Sequence, residues 1–162
     1  MKRNIRLTTL VIIGLLTFVG STPTAHAKAK CTLAGVAGDW GFTDEGSVIG
    51  IGPRIALGRF TLDSAGNVLN GKATVNLNGT ISSETFSGTI TVGAHCTGSG
   101  NIELFDPSGT KVATITTQAV FLNNMREARE IFTSVVLANG TPLTTVITLD
   151  AKRLFPKDDN EH

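Results

Sequence analysis

From about residue 36 onward, apolar and polar side chains alternate with a period of two, and turn-forming residues recur roughly every 10 to 15 positions. This is the pattern of half-buried strands joined by short connections. A first strand is predicted over about Val36 to Thr43, with Val36, Gly38, Trp40 and Phe42 on one face. The Gly-rich stretch Asp44 to Arg54 reads as a loop. Further strands are predicted at about Ile55 to Leu62, Val68 to Leu77, Thr80 to Val92, Thr97 to Phe105, Thr110 to Leu122, Ala128 to Leu137 and Leu143 to Leu154. Asp63 to Asn67, Asn78-Gly79, Asp106 to Gly109 and Asn139-Gly140 supply residues that tolerate turn dihedrals. The charged run Arg126 to Glu130 reads as a polar hairpin end. Pro142 falls at a strand start, where its missing N–H costs least.

Eight strands with short connections predict an all-β fold, a single antiparallel up-and-down barrel. Closure removes the exposed edges that would otherwise invite aggregation. In such a meander the connections alternate between two ends. Cys31, before the first strand, and Cys96, at the fourth turn, then share one rim with Trp40 and Arg153. The stretch Asp44 to Arg54 and both Asn-Gly turns lie at the other end, the expected mouth, with Asp44 to Arg54 as a mobile loop over it.

The segment before residue 28 is expected to be outside the fold. Lys2, Arg3 and Arg6 precede an apolar run, Leu7 to Val19, and Ala25-His26-Ala27 follows after a short polar stretch. These are the three regions of a secretory signal, so residues 1–27 are read as a signal peptide cleaved after Ala27. The apolar run is shorter than the ~20 residues a membrane span needs, and no stable membrane insertion is expected after cleavage. Residues 28–156 form the expected barrel domain, and 157–162 a disordered polar tail. The chain after Ala27 keeps 11 of the 14 Lys and Arg against all 13 acids, a net charge of −2. That balance offers no basic patch for nucleic acid. Secretion or periplasmic residence favours a Cys31–Cys96 disulfide, closing a loop worth about 4 kcal/mol by chain-entropy reasoning.

Gly38-Asp39-Trp40 resembles the opening of the calycin barrels, the lipocalins and avidins, which start strand one with Gly-x-Trp. In lipocalins an Arg near the end of the last strand packs across that Trp, a cation–π arrangement. The resemblance implies this structural role for Arg153. The lipocalin Thr-Asp-Tyr motif has no equivalent, and the chain has no Tyr. A likeness over most of the chain is to uncharacterised small exported bacterial proteins. It rests on an early Cys, the stretch Gly58 to Asn67 (G-R-F-T-L-D-S-A-G-N) and the stretch Gly88 to Gly98. This second resemblance implies the fold and no activity.

Candidate chemistry is sparse. His95 abuts Cys96 in a turn, and no G-x-S-x-G elbow exists. The only local metal-ligand run, Asp158 to His162, sits in the tail, and Gly50-Ile51-Gly52 lacks a third Gly and a following helix. Glu84, Glu103 and Asp150 read as outward. No buried polar group with a shifted pKa, the requirement for an isomerase of the kind allene-oxide-cyclase-like barrels house, is evident. No cofactor motif appears. Apolar faces remain, with Trp40, Phe42, Phe60, Phe86, Ile90, Ile115 and Ile147 expected to line the interior as the ligand-binding residues. An eight-stranded barrel is either just filled by side chains or holds one small ligand. The expected function is binding of a small apolar ligand. The alternative is a structural or protein-interaction module of the cell envelope with a filled barrel.

Overall fold

The structure, a computed structural model, describes residues 30–155. The signal peptide read over 1–27 and the tail read over 157–162 lie outside the described residues. Thr32 caps a single helical turn, α1 (Leu33–Val36), its side chain accepting from the Gly35 N–H. Nine strands follow: β1 (Gly38–Val48), β2 (Gly52–Leu62), β3 (Asn67–Leu77), β4 (Thr80–Val92), β5 (Thr97–Phe105), β6 (Lys111–Leu122), β7 (Glu127–Leu137), β8 (Pro142–Leu143) and β9 (Thr145–Arg153).

Strands β1 to β7 pair antiparallel in chain order, and β9 pairs with both β7 and β1. The sheet therefore closes into the eight-stranded up-and-down barrel that the alternation predicts, with β8 as a two-residue addition to β7. The last predicted strand thus arrives in two pieces, because its register on β7 slips by one residue between Val135↔Leu143 and Ile131↔Thr148. Leu143 still pairs with Val135, but the Thr144 carbonyl accepts from the Ile49 N–H at 2.8 Å, and β9 continues along β1.

One expectation is corrected. Asp44 to Arg54 is not a mobile mouth loop. β1 runs to Val48 and β2 begins at Gly52, in unbroken register from Gly38↔Leu62 to Val48↔Gly52, so the connection is only residues 49–51. Gly46 explains part of the misreading: its φ of +154° and the close approach of β9, whose Val146 carbonyl a Cβ would strike, require glycine inside the strand.

Alternation places Trp40, Phe42 and Val48 inside from β1, and Ile147 and Ala151 from β9. The buried residues form two clusters. The larger surrounds Trp40, Phe42, Val75 and Phe121; the smaller comprises Leu104, Ala113, Ile115 and Val135.

The end beneath the larger cluster is closed. Cys31 and Cys96 form a disulfide, Cα–Cα 4.9 Å, which is consistent with an oxidising compartment. It ties the segment before α1 to the β4–β5 turn. Trp40, 1% exposed, donates its indole N–H to the Val36 carbonyl at 2.9 Å. Arg153 is the register partner of Trp40 across β1–β9, and its guanidinium donates to the carbonyls of Gly35 (3.2 Å) and Ala37. Arg153 therefore clamps α1 across the barrel floor. Gly38 is required there, since at φ +142° a Cβ would lie 2.8 Å from Arg153 Nε.

Candidate functional site

The barrel interior holds two adjoining chambers. The inner chamber, above the closed end, has a volume of about 80 Å³ and a wall of Trp40, Phe42, Phe60, Phe86 and Ile90 among others. The four rings form one cluster: Trp40 stacks on Phe60 at 6.4 Å between centroids, and Phe86 stands edge-on to Phe42 at 5.7 Å and to Phe60 at 6.1 Å. The outer chamber, at the hairpin end, measures about 150 Å³ and is lined mostly by aliphatic side chains, including Val48, Leu77, Val135 and Ile147. Arg54, Glu84, Leu104, Ile115 and Phe132 contribute to both walls. Of the residues expected to line the interior, five thus face the inner chamber, Ile115 faces both, and Ile147 faces only the outer one.

Between the chambers lies a set of ions that the sequence reading missed. Arg54 and Asp44 are diagonal neighbours on the inward face of the β1–β2 hairpin, since Asp44 pairs with Ala56 and Gly46 with Arg54. Arg54 Nη2 donates to Asp44 Oδ2 at 3.3 Å and lies 3.5 Å from Glu84 Oε2. Arg54 Nε and Asp44 Oδ1 are also 3.3 Å apart, an ion-pair distance, yet neither atom has an aligned hydrogen bond. We take the pair as electrostatic contact with hydrogen-bonding capacity left over, because distance governs the Coulomb attraction while alignment governs the bond. Both side chains are about nine-tenths buried or more, at 10% and 3% exposure. Burial pushes the Asp44 carboxyl above its ordinary range, a shift the Arg54 guanidinium opposes but does not cancel.

A second, partly buried carboxyl lies on β7. Glu130 shares a face with Ala128 and Phe132 and lines the inner chamber. Burial raises its pKa; the Thr117 hydroxyl, itself 4% exposed, donates to it and partly offsets that rise. Among the described residues no three His, Cys, Asp or Glu side chains converge closely enough to hold a metal ion.

Glu84 is a correction. It has the parity of Phe86 and Ile90 and points inward, so the alternation already carried the signal. Glu103 and Asp150 do lie outside, paired with Lys111 and Arg129 on the exposed surface. The expectation of no buried, pKa-shifted polar group is likewise overturned by Asp44, and the partly buried Glu130 is shifted in the same direction. His95 is exposed in the β4–β5 turn. No protein-family model matches the chain, and no curated protein matches it. The reading of function therefore rests on the interior itself.

Proposed function

We propose that this chain is an exported, secreted or periplasmic binding protein that takes a small, mostly apolar ligand into the barrel from the hairpin end. The observation that carries this reading is the outer chamber, an aliphatic-walled space of about 150 Å³ beside an ion cluster. An apolar cavity of about that size stays dry and admits benzene or xenon. The inner chamber, at about 80 Å³, is too tight for a ring and suits a small head group or water. The Arg153 clamp and the disulfide floor support a calycin-like arrangement with a single open end.

Benzene is the direct probe. It is expected to raise the thermal midpoint in proportion to the logarithm of its concentration above Kd. Ala113→Leu, which fills the outer chamber from β6, is expected to abolish that rise while costing about 1–3 kcal/mol from overpacking. A midpoint indifferent to benzene in the parent protein would remove benzene-sized apolar ligands from the reading.

A second reading, an interaction module of the cell envelope, has its own support. Ile55, Leu57 and Ile81 are exposed at 59%, 65% and 71% on the outer face of β2 and β4. Their register through Asn76 places Ile55 and Ile81 on either side of one strand, an apolar outer patch of the kind that marks contact surfaces.

A further inference from the structure

The ligand-binding reading can be taken one step further, to the chemistry of the ligand's polar end; the inference rests on that reading. The inner chamber is lined by three carboxyl groups, Asp44, Glu84 and Glu130, against one cation, Arg54. Arg54 is already engaged by Asp44 and Glu84. Glu130 faces no cation among the described residues; its partner is the Thr117 hydroxyl, and its register neighbours on β6 and β9 are Ala119 and Leu149. Asp44 Oδ1, on a side chain 3% exposed, presents a further acceptor without an aligned donor in the same wall. The remaining wall includes four aromatic rings, whose faces carry partial negative charge.

An anionic head would meet three acids and an occupied arginine. A hydroxyl head would leave the formal charge of the chamber uncompensated. A protonated amine supplies the missing positive charge and up to three donors, and charge-assisted hydrogen bonds are about twice as strong as neutral ones. We propose that the barrel selects a small aliphatic amine, with its alkyl chain in the outer chamber and its ammonium in the inner chamber on the Glu130 carboxylate. Desolvation raises the Glu130 pKa, and a cation placed beside the carboxylate would favour its ionised form.

The test is a titration-calorimetry series on the full secreted chain with n-hexylamine, 1-hexanol and hexanoate at about pH 7.5, where the amine is protonated. Hexylamine is expected to bind about tenfold more tightly than 1-hexanol, with hexanoate weakest, and Glu130→Gln is expected to erase the advantage of the amine. Equal affinities for amine and alcohol in the parent protein overturn the inference, as does an amine preference that survives in Glu130→Gln. The parent series decides even where the variant folds poorly. Benzene binding separates the two levels: benzene bound without amine preference overturns only this inference, whereas neither benzene nor any hexyl compound bound overturns the pocket and the inference together.

Discussion

Arg54→Met is expected to cost about 3–5 kcal/mol of stability at pH 7, the range found when one partner of a buried ion pair is removed. The cost comes from Asp44, 2% exposed, and Glu84, whose charges would then sit in the barrel without their cation. Arg54→Met with Asp44→Asn should recover the part of the loss that comes from Asp44, while Glu84 still lacks its cation. The pH dependence has a defined sign. Asp44 already has a raised pKa, and removing Arg54 deletes the two largest influences that lower it. An acid whose folded pKa is raised contributes stability that is present below its unfolded pKa and lost as pH rises through the folded one. The defect in Arg54→Met should therefore shrink below about pH 4, the ordinary carboxylate range, and be largest at neutral pH and above. Urea denaturation followed by Trp40 emission measures it. A loss of the same size at acid and neutral pH would show that Arg54 acts through packing alone.

Removing the disulfide, as Cys31→Ala with Cys96→Ala, is expected to cost about 4 kcal/mol, since the bridge closes a loop of 65 residues. For a domain of this size that lowers the thermal midpoint by on the order of 15 °C. The structure adds a local consequence. Cys31 anchors the chain just before α1, and α1 supplies the carbonyls that bind the Trp40 indole and the Arg153 guanidinium. Loosening α1 should admit water to Trp40, the single tryptophan, and shift its emission to the red before global unfolding. An unchanged emission spectrum in the double variant would mean that Arg153 alone holds the floor.

Much of this architecture was legible in the chain. Period-two alternation and two-residue Asn-Gly turns specify hairpins locally, and β9 closes the barrel because each stave has one apolar face that must be covered. The site was less legible. Asp44 and Arg54 occupy inward positions where alternation calls for apolar residues, and with Gly46, Gly50 and Gly52 between them they mimic a loop. Only the register of the hairpin shows that two opposite charges fall diagonally across one face. Glu84 was readable, having the parity of Phe86. Glu130 is harder, because it ends a charged run, and its partial burial depends on β7 lying between β6 and β9 rather than on its own neighbours.

These findings converge on an interior divided by Arg54, Asp44 and Glu84 into an aliphatic outer chamber and an aromatic inner one. A crystal structure under xenon pressure tests this most directly. The account predicts xenon density in the outer chamber, in contact with Ile115 and Ile147 on the hairpin side of Arg54. Side chains of β6, β7 and β9 collapsed onto one another there, with xenon bound only outside the barrel, would contradict it.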